Sequence, residues 1–358
     1  MEHILHYFAV GNTARGLHNL FQSNIADLKK IFLLNGDSKA GNTFLMKRVA
    51  RHFENENHHI QFIHNAINPD LLDGIILEEA AVGIMDDNAI RVSEVNWPVG
   101  IKRYVQLDAK VDGIQAERIT LLKKEMLDAL EKASRFYEEA LKIHDEWEAI
   151  YIDKMDFEKA NQLIDEVKIK LLGSQVKQTK GRVFRRFLGA ATPLGPVDYV
   201  PNLTEDLVKR YFIKGRPGSG KSTMLKRIAK EAANRGYNVE IYHCGLDPHS
   251  LDMVIVREMG WAIFDSTAPH EYFPSREGDE IIDVYVRCIT PGTDEDYQLD
   301  IENIKQRYQS TMNKGTDSLK KAKVCHDEIE KLYVANIEYE KLNQIGDRLI
   351  WMIDEQKV

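Results

Sequence analysis

The chain repeats itself. An offset of 179 residues carries Gly36 onto Gly215, Gly41 onto Gly220 and Thr43 onto Ser222. The same offset carries Phe32, Leu33 and Leu34 onto Tyr211, Phe212 and Ile213, and Lys47 and Arg48 onto Lys226 and Arg227. The register runs on through His64 and His243, Pro69 and Pro248, Asp73 and Asp252, Glu79 and Glu258, and Asp86 and Asp265. Upstream, Thr13 and Gly16 fall on Thr192 and Gly195. After a small insertion the later helical stretches also match, with His144 set on His326. Solenoid repeats have periods of roughly 20–50 residues, so a period this long is a duplicated domain. Any fold for this chain must therefore be built twice, and 358 residues leave room for two domains.

One copy carries a complete glycine-rich motif. Residues 215–222 read GRPGSGKS and fit G-x-x-x-x-G-K-[ST] at every fixed position. An apolar run, Tyr211 to Ile213, precedes it, and a helical pattern over 223–233 follows. Such a loop turns backbone N–H groups toward phosphates, and the helix start adds its positive dipole end. On this reading Gly215, Arg216, Pro217, Gly218, Ser219, Gly220, Lys221, Ser222 and Thr223 form a nucleotide-binding loop. Lys221 would reach the β- and γ-phosphates, and Ser222 would bind Mg²⁺. The other copy reads GDSKAGNT, with Asn42 in place of the lysine and Ser38 in place of Pro217. Asn42 brings no charge to offset Asp37 and Asp86, so a pseudo-site is expected there.

Composition narrows the class. The formal net charge of −8 argues against a general polyanion binder. Cys244, Cys288 and Cys325 are scattered and odd in number, so neither a disulfide framework nor a cysteine zinc site follows. No apolar run approaches the length of a membrane span and the start lacks the pattern of a secretory signal. The expected setting is cytoplasmic, with no membrane partner.

Strand-like runs alternate with helical patterns in each half, which predicts α/β architecture with a parallel sheet. In the second half 238–243 and 261–265 read as strands, while 250–258 is ambiguous between helix and strand. Each half then turns helical, over 115–150 and again over 296–332, with Gly315 a weak point. Asp156 reads as the N-cap of a further helix to Leu172. We read these as helical arms that pack between halves or between chains, which allows a homo-oligomer. The expected domains are 1–175, with the degenerate loop, and 183–358, with the intact one. The junction over 172–186 is basic; a solvated linker is the plainer reading and a nucleic-acid site the other.

Asp265 closes an apolar strand downstream of the loop, where a second Mg²⁺-side carboxylate is expected. The next residue is Ser266, where many motor-class ATPases carry a water-activating glutamate. The polar stretch after it lies where open α/β sheets bind ligands, so His270, Glu271, Arg276 and Glu277 are candidates for base or phosphate clamp. The first half lacks the corresponding Thr, Pro and His. Asp247 and His243 end the preceding strand on the same side and could meet an acceptor, though a satisfied histidine is the simpler reading of His243.

The stretches HYFAVGNTARG, GAATPLGPVDYVPNLTE, RYFIKGRPGSGKSTMLKRIAK and AIFDSTAPHEYFPSREGDEIID together resemble a bacterial family of tandem P-loop ATPase-like proteins. The resemblance covers nearly the whole chain and implies a nucleotide-binding fold in each half. Members often keep a working loop in both halves, and this chain departs from that at GDSKAGNT. The resulting expectation is an ATPase with ATP or another nucleoside triphosphate and Mg²⁺ in the second half, working through Lys221, Asp265, His270 and Glu271. A kinase of a small molecule or nucleotide, a non-catalytic ATP sensor and a nucleic-acid-binding protein are the alternatives.

Overall fold

A computed structural model describes residues 4–90, 102–107 and 111–355. The first half runs β1 (Ile4–Phe8), β2 (Val10–Thr13), β3 (Gly16–Asn19), α1 (Phe21–Ile25), β4 (Lys30–Gly36), α2 (Lys39–Glu54), β5 (Ile60–His64), β6 (Leu72–Leu77), β7 (Val82–Asp86), α3 (Asp87–Ile90) and β8 (Lys102–Leu107). Two helices close it, α4 (Gly113–Asp153) and α5 (Phe157–Leu172). The second half runs β9 (Val183–Phe187), β10 (Gly189–Thr192), β11 (Gly195–Asp198), α6 (Val200–Leu203), β12 (Lys209–Lys214), α7 (Lys221–Asn234), β13 (Val239–His243), β14 (Leu251–Val256), β15 (Trp261–Asp265) and β16 (Glu280–Asp283). It ends with α8 (Val284–Cys288), α9 (Thr293–Asp296), α10 (Gln298–Val334) and α11 (Tyr339–Asp354).

Twelve of these strands form one mixed sheet in the order β16-β12-β15-β14-β13-β9-β1-β5-β6-β7-β4-β8. Read outward from its centre, each half lays down its six strands in the same order. The strands are apolar nearly throughout because helices cover both faces. In β4, for example, Ile31 to Leu34 are all buried. The expectation of a parallel sheet holds only in part. The ambiguous 250–258 segment supplies β14, which runs antiparallel to both β13 and β15, and β6 does the same in the first half. The connections explain this, because β13, β14 and β15 follow one another with no helical crossover between them.

The halves meet where β1 pairs with β9, antiparallel, through Phe8 and Phe187. Matching groups reach across this seam both ways. Arg185 N–H donates to Ser23 Oγ at 2.8 Å, and His6 N–H donates to Asn202 Oδ1 at 2.8 Å. The 179-residue offset relates His6 to Arg185 and Ser23 to Asn202. Arg186 is buried in the seam, donating to Asn24 Oδ1 and Gln61 Oε1 and pairing with Glu240 at 3.3 Å. Its guanidinium also lies 4.3 Å over the Tyr7 ring.

The arms cross over. Leu163, Val167 and Leu171 of α5 pack with Met224 and Ile228 of α7, in the other half. Leu342, Leu349 and Ile353 of α11 pack with Leu45 and Val49 of α2. α4 and α10 run antiparallel along each other, tied by Arg118–Glu328 near one end and Arg307–Glu146 near the other. α4 starts with a capping box, Asp112 with Gln115, and Asp156 caps α5 as its sequence position predicts. Gly315 does not weaken α10. It is buried mid-helix, and a Cβ there would stand 2.3 Å from the Tyr137 ring of α4. The glycine is the notch that receives the tyrosine. No helix among the described residues is long and apolar enough to cross a membrane.

Candidate functional site

β12 feeds the 215–222 loop into α7 beside the end of β15. The two strands are parallel, with Ile213 opposite Asp265. Gly218 and Gly220 take positive φ of 73° and 85°, which lets the loop turn back on itself before the helix. Ser219 is buried and donates its Oγ–H to the Arg216 carbonyl at 2.7 Å, holding that turn. Gly220 is the N-cap of α7 and brings no side chain to it, so the N–H groups of the first helical turn have no side-chain cap. Lys221 Nζ donates to the Arg216 carbonyl at 2.9 Å and stands 3.5 Å from Asp265 Oδ2. Both side chains are mostly enclosed, 10% and 22% exposed.

Ser222 Oγ accepts the Leu251 N–H at 3.0 Å, which docks α7 on β14 and brings Asp252 to the site. Burial, reinforced by the charge of Asp265, pushes Asp252 up to about 6, against the opposite pull of His270 and Lys221. Asp265 Oδ1 accepts from Thr267 N–H and Oγ–H at 3.1 and 2.7 Å, which fixes the start of the following loop. His270 Nδ1 lies 2.8 Å from Asp198 Oδ2, and Tyr272 donates its hydroxyl to the other oxygen at 2.6 Å. Asp198 thus orients the His270 ring through Nδ1. Burial alone would lower His270, but Asp198, Asp252 and Asp265 outweigh it and hold the ring above the usual histidine value. Ser222, Asp252 and Asp265 each bring an oxygen of the kind a hard dication takes.

The first half roofs this site. A Cβ on Gly218 would stand 2.5 Å from the Glu148 carbonyl of α4, so the loop backbone packs directly on that helix. His144, one turn earlier, is 3.5 Å from Glu148. Burial lowers His144, with Lys221 adding to the effect and Glu148 opposing it. The Arg216 side chain turns away from the loop and pairs with Asp294 at 2.7 Å. Tyr151 of α4 donates to the same carboxylate at 2.7 Å.

The degenerate loop has the same frame and a different filling. Thr43 Oγ accepts the Leu72 N–H at 2.9 Å, as Ser222 does with Leu251. Asn42 Nδ2 donates to Asp86 Oδ2 at 2.7 Å. The expectation that no lysine offsets Asp86 is corrected. Lys39 folds inward to 2.8 Å from Asp73 and 3.2 Å from Asp86. Those two carboxylates outweigh burial and keep its ammonium charged. Asp37 in turn faces Lys123 of α4 at 3.9 Å. The Glu330 carboxylate of α10 sits on the N–H groups of Lys39 and Ala40.

The other sequence candidates have partners of their own, face solvent, or lie within the loop itself. The Arg276 guanidinium donates to the Thr204, Glu205 and Leu207 carbonyls, closing the chain after α6, so it is no phosphate clamp. Glu271 is half exposed and 3.7 Å from Lys214, and Glu277 is exposed on the same loop. Thr223 is exposed on the first turn of α7, and Pro217 is half-buried within the loop. Asp247 pairs with Arg15 at 3.0 Å. His243 is satisfied by the Pro248 carbonyl at 2.6 Å and by Arg185 at 3.2 Å. Burial raises the Cys244 thiol well above its usual value, the opposite of an activated nucleophile. In the junction Lys177 pairs with Glu258, Arg182 with Asp27 and Arg186 with Glu240. Arg91, in the first-half counterpart of the 265–280 loop, lies outside the described residues. Asp252, Asp198, His144 and Glu148 were not among the sequence candidates. The pairing of Asp73 with Asp252 was the one available signal for the first of them, and the histidine match between the arms for His144. Compared with protein-family models, curated proteins and solved structures, the chain matches none.

Proposed function

We propose that the second half is a P-loop nucleotide-binding domain that takes one nucleoside triphosphate with Mg²⁺ and hydrolyses it, and that the first half is a degenerate copy of the same domain. The observation that carries this is the meeting of Lys221 and Asp265, 3.5 Å apart, at the ends of adjacent parallel strands and at the start of α7. Backbone N–H groups of the loop and first helical turn would cradle the β-phosphate, with Lys221 swinging from the Arg216 carbonyl to the β- and γ-oxygens. Ser222 and Asp265 would hold Mg²⁺, with Asp252 in support; when bound, the ion neutralises the phosphate oxygens and orients the transferred group.

In hydrolysis a water oxygen bonds to the γ-phosphorus as the bridging P–O bond breaks, and the nucleoside diphosphate leaves with the electron pair. The water's proton passes to solvent or to the released phosphate. His270, oriented by Asp198 and favoured in its charged form, suits stabilisation of the transferred phosphoryl oxygens better than removal of a proton.

Phosphate release and MgATP affinity on variants test this. Lys221→Ala removes the cation and is expected to weaken binding at least thirtyfold, about 2 kcal/mol. Asp265→Asn should lose the Mg²⁺-dependent part of the affinity and most turnover. His270→Ala should keep affinity and lower the rate by ~10²-fold or more, as for a positioned group acting in the transition state. Glu271→Gln, beside Lys214 and half exposed, should stay near wild type. Release of diphosphate only when an acceptor is present would replace hydrolysis by kinase activity. Tight MgATP binding with no release under any condition would replace it by a sensor role, for which the α4 roof is the natural reporter.

A further inference from the structure

Three donors converge on one side chain at the degenerate loop. The Glu330 carboxylate accepts the N–H of Lys39 at 2.9 Å, the N–H of Ala40 at 2.8 Å and the hydroxyl of Ser38 at 2.9 Å. These groups open α2, where the first-turn donors and the positive end of the helix dipole favour an anion. Ser38 Oγ also accepts the Gly41 N–H at 3.1 Å, so one hydroxyl links carboxylate and helix. The loop also borders a small cavity. Asn42 is fully buried, its Oδ1 has no hydrogen-bond partner, and it lines a cavity of about 30 Å³ with Ser38 and Gly41. That is room for one water-sized group.

We infer that the 36–43 loop is still an anion-binding site and that its ligand is the chain's own Glu330 carboxylate, delivered by the arm of the other half. This does not depend on nucleotide binding in the second half. The arms explain how the plug is delivered. An offset of 182 carries His144 onto His326 and also Glu148 onto Glu330. At the second-half loop the matching glutamate, Glu148, lies 3.5 Å from His144 instead, and Gly218 packs on the α4 backbone. The two loops thus face the same glutamate in two postures, inserted in one and withdrawn in the other. The ligand chemistry of the plugged site follows from its surroundings. The Lys39 ammonium is already committed to Asp73 and Asp86, so it is not available to a triphosphate in the way proposed for Lys221. Three neutral donors and a helix dipole fit a small tetrahedral oxyanion such as inorganic phosphate.

Two measurements test this in the full chain. The first follows amide hydrogen exchange in wild type and in the isosteric, neutral Glu330→Gln. The Lys39 and Ala40 amides should be protected in wild type and exchange about tenfold faster in the variant, as a charge-assisted acceptor becomes a neutral one. The second is calorimetric titration with inorganic phosphate on a Lys221→Ala background, which weakens the second-half loop and is common to both proteins compared. Adding Glu330→Ala should tighten phosphate binding at least tenfold. Unchanged exchange of both amides in folded Glu330→Gln would overturn the inference. So would phosphate binding that Glu330→Ala leaves no tighter, in protein whose circular dichroism matches the parent. If Glu330→Ala does not fold, the exchange experiment decides alone.

Discussion

Asp252 shows what this site costs at the scale of a residue. It sits beside Asp265 with its carboxyl pushed up to about 6 by burial first and by its neighbour second. A folded-state value above the unfolded one means that the folded protein binds the proton more tightly. Stability therefore falls as pH rises from about 4 toward 6, and the penalty is complete above that. Asp252→Asn should raise stability at pH 7.5 by about 2 kcal/mol, less than the full shift implies because the side chain keeps some contact with solvent, and by little at pH 4. Urea denaturation at the two pH values checks this, and an equal gain at both would contradict it. The same variant should lose Mg²⁺-dependent nucleotide affinity. The sequence made Lys221, Ser222 and Asp265 legible because a loop motif and a strand end have fixed spacing along the chain. Asp198 and Asp252 act on other residues through space, from a hairpin and an antiparallel strand, and no local spacing announces them.

At the scale of elements the arms are the part least legible from sequence. Their helical periodicity, and the cap at Asp156, are local properties and read correctly. Which surface they cover depends on the crossing, and periodicity alone does not say which half an apolar stripe faces. Gly315 is the clearest case. As an isolated glycine in a helix it reads as a defect, yet it makes room for Tyr137 of the opposing arm. Alanine at an exposed helical position usually stabilises by ~0.5–1 kcal/mol relative to glycine. Gly315→Ala should do the reverse and destabilise by about 1–3 kcal/mol, since its Cβ would overlap the buried Tyr137 ring. Chemical denaturation decides it, and a stabilised variant would show that the arms do not pack as described.

At the scale of the whole molecule, the 179-residue repeat was visible in the sequence, and the same strand order runs outward from the seam on both sides. The sequence boundary between the halves is not a boundary in packing, because α5 covers the second half and α11 the first. A fragment of residues 183–358 should therefore leave the α7 surface bare and fold poorly alone, and should co-purify in equal amounts with residues 1–182 when the two are expressed together. A fragment that melts cooperatively alone at the wild-type temperature would contradict this. The crossing also places the first half over the intact loop and the second half over the degenerate one, so one chain would hold one open nucleotide site and one plugged copy. Calorimetric titration of the full chain with a Mg²⁺-bound, non-hydrolysable ATP analogue, in wild type and Lys221→Ala, tests that claim most directly. One site per chain is expected in wild type, with at least thirtyfold weaker binding in the variant. A stoichiometry near two, no binding in wild type, or equal affinity in both proteins would contradict it.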